Sequence, residues 1–160
     1  MGYANPWPLV PDPYNMTQID FYTHADDKHR VACLLSAKAF ERGMRVVVYT
    51  PDAAATDRVD KMLWSVPPIG FVPHCRAGDA LAPVTPVIVD HDPNQVPHDD
   101  VLLNLRSERP AFFSRFHRLI EIVGPEEEDR LAARERYRFY RDRGYEIRTH
   151  DLSKHRGGGE

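Results

Sequence analysis

The chain has 160 residues, 42% of them hydrophobic and 28% charged, which is enough apolar material for one packed domain. A formal net charge of −3 excludes a protein that coats nucleic acid by bulk positive charge and leaves only a local basic patch as a route to phosphate. No apolar run reaches the length of a membrane span and no charged-then-apolar leader opens the chain, so no membrane partner is expected and the cytoplasm is the expected location.

Residues 1–15 (MGYANPWPLVPDPYN) carry four prolines and no helical or strand period, and read as a flexible extension or tag. Met16 then opens a clean strand, which makes it the expected natural start. Ile19 to Thr23 (IDFYT) alternates as a strand. Asp26 is the expected N-cap of a helix running to about Arg42, with Gly43 as its stop and Cys33 inside its apolar pattern as a buried, reduced thiol. Arg45 to Thr50 (RVVVYT) is a β-branched run of the kind buried on both faces of a parallel sheet. Pro51 and Asp52 start a second helix through Val59, Met62, Leu63 and Trp64.

The proline-rich VPPIGFVPHCRAGD cannot continue that helix and is expected as an ordered loop. Strands follow at Pro86 to Val89 and Val101 to Leu105, then a short helix at Ala111 to Phe116 and a strand at Leu119 to Val123. Glu126 to Arg143 is the longest helix, ended by Gly144, and Tyr145 to His150 is the last strand. The alternation implies a single three-layer α/β domain over residues 16–152, with an open, mainly parallel sheet and helices on both faces. Residues 153–160, ending in three glycines, read as a disordered tail.

Such a sheet usually holds a nucleotide at its strand ends, but this one lacks a phosphate loop. The first strand runs into HADDKHR, where Asp26 and Asp27 stand in the place of open backbone N–H groups, and no GxGxxG, GxxxxGK[ST] or GxSxG occurs. His91 and His98 with Asp90, Asp92, Asp99 and Asp100 offer metal-binding types in a polar, proline-containing segment that reads as a solvated loop. His74 beside Cys75 resembles a nucleophile pair, but neighbours in an extended stretch point opposite ways and no orienting acid is evident. The other histidines, His24, His29, His117, His150 and His155, show no catalytic spacing. Neither a cofactor nor a metal is expected.

The last helix is the informative segment. Arg130, Arg134, Tyr137, Arg138 and Arg141 fall at i, i+4, i+7, i+8 and i+11, placing four guanidiniums around one ring, with Leu131, Ala132, Phe139 and Tyr140 expected in the core. A solvated face neutralised by Glu135 and Asp142 is the plain alternative. A dock for an anionic ligand with an apolar element is the functional one, and helix geometry alone does not choose between a peptide carboxylate and a phosphate. A second cluster, Leu63, Trp64, Val66, Pro67, Pro68, Ile69, Phe71, Val72 and Pro73, is rich enough in apolar residues to suggest an exposed remnant for a protein partner.

The blocks IDFYT, AFERGMRVVVYT, LWSVPPIGFVPHCRAGD, VLLNLR and RERYRFYRDRGYEI resemble, in order, successive segments of the chi family of bacterial DNA polymerase III clamp-loader accessory subunits. The resemblance covers roughly residues 16 to 151 and implies a nucleotide-binding-like α/β fold without catalysis of its own. It further implies a chain, monomeric by itself, that binds the acidic C-terminal tail of single-stranded DNA-binding protein and meets DNA only indirectly. On this sequence the tail-binding positions would be Arg130, Arg134, Tyr137 and Arg138, with Val123 as an apolar wall. A second surface, at Trp64 and Phe71, would meet the psi subunit of the clamp loader. Direct binding of single-stranded nucleic acid, and a small hydrolase or transferase at the strand ends, are the rival readings.

Overall fold

A computed structural model describes residues 16–65, 71–92 and 96–153. The expected N-terminal extension, Val66 to Ile69 of the apolar cluster, Pro93 of the polar loop and residues 154–160 of the tail, His155 included, lie outside them. Ser153, at the start of the expected tail, donates to Asp151 Oδ1 from both N (3.0 Å) and Oγ (2.6 Å).

The described residues form strands β1 (Gln18–Thr23), β2 (Val46–Tyr49), β3 (His74–Cys75), β4 (Val87–Asp90), β5 (Val101–Asn104), β6 (Arg118–Ile122) and β7 (Ile147–Asp151). Helices α1 (Lys28–Glu41), α2 (Ala53–Leu63) and α3 (Glu127–Asp142) connect them. All pairings are parallel, in the order β3-β4-β2-β5-β6-β1-β7. Parallel neighbours need crossovers that cover the sheet, which is why the adjacent strands β4, β2 and β5 are nearly continuous apolar runs.

Successive residues of β2 show how the layers are made. Val46 and Val48 face one core with Ala32, Cys33 and Leu35 of α1 and Val59 and Leu63 of α2. Val47 faces the other, with Ile19, Phe21, Leu102, Leu119, Phe113, Phe116 and, from α3, Ala133 and Tyr140. Each fully buried valine or leucine here contributes about 1.5–3 kcal/mol.

Several boundaries differ from the expectation. The N-cap of α1 is Asp27, whose side chain accepts from Arg30 N at 3.2 Å; Asp26 precedes the cap. Residues 111–116 make no α-helix: Phe113–Arg115 is a 3₁₀ turn closed by i→i+3 bonds such as Phe116 N to Phe113 O (3.0 Å), since so short a segment cannot repay α-helix nucleation. The expected loop contains β3, a two-residue edge strand paired with β4. Gly43 and Gly144 take φ +77° and +86° and end α1 and α3 as expected.

Candidate functional site: a cationic groove at the strand ends

At the carboxyl ends of β1 and β6 the chain leaves the sheet on opposite faces. After β1 it enters α1, which packs on one core, and after β6 it enters α3, which packs on the other. Parallel sheets open a crevice at such a point. Two backbone bonds extend the pairing past the strand ends, Val123 N to Tyr22 O at 2.8 Å and Ala25 N to Val123 O at 3.0 Å. They fix Val123 beside His24, which turns in the left-handed region at φ +60°.

Gly124 lets α3 begin close to α1. A Cβ there would lie 3.0 Å from Glu126 Oε1 and 3.2 Å from Lys28 Cδ, so a side chain would make these neighbouring side chains shift. Instead Gly124 N donates to Asp129 Oδ2 at 2.7 Å, and Asp129 pairs with Lys28 Nζ at 3.2 Å. Glu127, Glu128 and Asp129 in the first turn of α3 suit the positive end of its dipole.

A buried polar network seats α3 against the sheet. Glu121 of β6 is fully buried and accepts from Arg136 Nε (2.9 Å), Tyr140 Oη (2.6 Å) and Asn104 Nδ2 (2.9 Å). Arg136 Nη1 also donates to Ser107 O at 2.6 Å. Burial, reinforced by the Glu121 carboxylate, pushes the Tyr140 hydroxyl far above the ordinary phenol range. Arg136 is therefore buried by its partners, while Leu131, expected in the core, is 49% exposed. Phe139 is half-buried.

This seating leaves a groove of about 490 Å³ between α3 and the sheet, lined by Phe21, Thr23, His24, Val123, Gly124, Arg130, Ala133, Arg134, Tyr137 and Thr149. Phe21, Val123 and Ala133 are buried and give an apolar floor. Tyr137, 38% exposed, leans on Phe21 with ring centroids 5.4 Å apart. Arg130 is paired with Glu127. Arg134 is exposed and has no salt bridge or hydrogen bond among the described residues. Four of the five expected tail-binding positions, Val123, Arg130, Arg134 and Tyr137, thus share one groove. Arg138 does not line it: it sits on the far flank of α3, paired with Glu135 at 3.2 Å.

The groove can hold an oxyanion and an apolar group together, as a guanidinium edge beside a closed floor. Its one histidine is poorly set for base catalysis. His24 Nδ1 faces both Asp151 Oδ1 (2.9 Å) and Thr23 Oγ1 (3.2 Å), so acid and hydroxyl meet the same ring nitrogen instead of the two nitrogens a relay requires.

The other sequence candidates separate. Trp64 and Phe71 are 62% and 53% exposed and touch each other with centroids 4.9 Å apart. His74 packs edge-on to Trp64 at 5.3 Å, with Nδ1 2.6 Å from Val72 O and Nε2 3.0 Å from Asp60 Oδ1. An acid does therefore face His74, contrary to expectation, and the pair joins α2 to β3. His98 is buried on Thr85 O at 2.6 Å, and Asp90 is occupied by three backbone N–H groups, so the polar-loop residues do not converge. Among the described residues, Asp99, Asp100 and His117 bring three ligand atoms within 4.8 Å of one another, and Asp100 already accepts from Arg45 N at 3.0 Å.

The fold is a parallel α/β domain of the nucleotide-binding type, with a cationic, apolar-floored groove at its switch point. The family model of the DNA polymerase III chi subunit, HolC, matches residues 16–148, and the chain belongs to that family. It is similar to the DNA polymerase III subunit chi of Pseudomonas aeruginosa, 40% identical over 87% of this chain and 99% of that protein. The subunits of the same name from Escherichia coli and Haemophilus influenzae are 31% and 30% identical over 75% and 76% of this chain, and over 82% and 85% of their own lengths. Family membership gives the chain an accessory role in DNA replication. No helix among the described residues is long and apolar enough to cross a membrane.

Proposed function

We propose that the chain is a non-catalytic adaptor that receives the acidic C-terminal tail of single-stranded DNA-binding protein in the α3 groove. The observation that carries this reading is Arg134, an exposed guanidinium with no salt bridge or hydrogen bond among the described residues, at the rim of a floor made by Phe21, Val123 and Ala133. A free chain-end carboxylate suits the guanidinium fork and the terminal apolar side chain suits the floor. A few such contacts with one buried ring support an affinity near micromolar, about 8 kcal/mol.

The link to the clamp loader, through the psi subunit, is assigned to Trp64 and Phe71. Large exposed aromatics are strong interface anchors. Trp64 ends α2 and Phe71 leads into β3 at one edge of the sheet, whereas the groove lies toward β7 at the other. That separation supports simultaneous engagement of both partners.

The test is fluorescence anisotropy with a labelled tail peptide from the cognate single-stranded DNA-binding protein, the same peptide without its last apolar residue, and a bare oligonucleotide. Saturable binding that is lost with the last residue and weakened by salt supports the adaptor. Salt-sensitive binding to the oligonucleotide alone would replace it with direct contact to DNA.

A further inference from the structure

The opposite flank of α3 carries a second groove, of about 580 Å³, which includes Arg109, Arg136, Arg138, Phe139, Asp142 and Arg143 in its lining. Each carboxylate in it already has a cation. Glu108 lies 3.6 Å from Arg106, Glu135 3.2 Å from Arg138 and Asp142 3.0 Å from Arg141. Arg109 and Arg143 have no salt bridge among the described residues. Both lie against the one Phe139 ring, with guanidinium carbons 3.5 and 3.6 Å from its centroid, an approach two guanidiniums can share only from opposite faces. Stacking holds each guanidinium in place and leaves its in-plane N–H donors free for an oxyanion. Arg136, also in the lining, is already committed to Glu121. The uncommitted charge of this groove is therefore positive despite its acidic residues.

Arg138 ties the two grooves together, because it belongs to the second while Arg134, about one turn earlier, and Tyr137, the residue before it, belong to the first. A chain end seated beside Arg134 reaches Arg138 by crossing the outer face of α3. A helix is about 10–12 Å across and an extended chain advances about 3.4 Å per residue, so the crossing takes about three or four residues. We propose that the second groove receives the acidic residues that precede the apolar end of the bound tail by about four positions or more, with Arg109 and Arg143 holding their carboxylates. This rests on the function proposed above and extends it from the terminal residue to a longer acidic peptide.

The experiment uses the full chain and two labelled peptides, the last three and the last ten residues of the cognate tail, with an oligonucleotide as a third probe. The long peptide is expected to bind at least about tenfold more tightly than the short one. Arg109→Ala with Arg143→Ala should remove most of that gain, leaving the short peptide's affinity unchanged and lowering the thermal midpoint by no more than a few degrees, as expected for loss of two exposed stacking contacts on Phe139. Equal binding of the two peptides, or wild-type affinity of the double variant for the long one, would overturn the proposal. So would loss of oligonucleotide binding with peptide binding intact, which would assign the groove to phosphate. Failure of the underlying function reads differently: neither peptide binds, and Arg134→Ala changes nothing.

Discussion

Arg136 Nε donates to Glu121 Oε1 across 2.9 Å, with the arginine side chain 3% exposed and the glutamate fully enclosed, while Arg134, two residues earlier on the same helix, faces open groove. The same residue type thus does two jobs on one helix, one holding α3 to β6 and the other offering charge to a ligand.

The two arginines are expected to separate cleanly in stability measurements. Arg136→Met strands the Glu121 carboxylate in the core and should cost about 3–5 kcal/mol in urea unfolding. Arg134→Met removes an exposed group and should stay within about 0.5 kcal/mol of wild type. Equal losses would mean that Arg134 is structural.

Acid sensitivity should trace in part to Asp90. Burial raises its carboxyl, but N–H donors from Ala77 (2.9 Å), Asp92 (3.2 Å) and His91 (2.8 Å), with the His91 charge, outweigh burial and hold it below the usual range. A depressed folded value means stability that is complete above the unfolded value, about pH 4, and is lost as pH falls through the folded one. Asp90→Asn should lower the urea midpoint at neutral pH and flatten its decline below about pH 4. An unchanged pH profile would place that sensitivity elsewhere.

The two cysteines should differ in reactivity. Cys33 is closed off against Val59 O, and burial pushes its thiol up to about 12, so iodoacetamide should reach it only after unfolding. Cys75 is half-buried and raised less by burial, and should label slowly in the native protein. Native labelling of Cys33 at the faster rate would contradict the packing of α1 on α2.

Trp64→Ala is expected to leave the thermal midpoint within about 2 °C, since its ring is mostly in solvent, yet to abolish calorimetric binding of a psi partner. Retained binding would move that interface away from the Trp64–Phe71 pair.

Much of this was legible in the sequence because its signals are periodic or chemical. The VVVY run could only be a strand buried on both faces, and the i, i+4, i+7 spacing brought Arg130, Arg134 and Tyr137 to one flank of α3. The missed features depend on partners far along the chain. Arg136 is inside because Glu121 waits on β6, and nothing within the helix signals that. Leu131 is outside because the face of α3 that meets the sheet is the one carrying Ala133, Arg136 and Tyr140. The two residues of β3 are too few to show a period, and the Asp60 that meets His74 comes from a different element. Arg138 lies about 40°, roughly a ninth of a turn, from Arg134, and its guanidinium turns to Glu135 on the second groove.

The most direct test of the central claim is calorimetric titration of the cognate tail peptide into wild type and Arg134→Ala. Near-micromolar binding to wild type is expected, with a loss of about tenfold or more in the variant and unchanged thermal midpoints. Equal affinities for the two proteins would show that the tail, if it binds at all, binds somewhere other than the α3 groove.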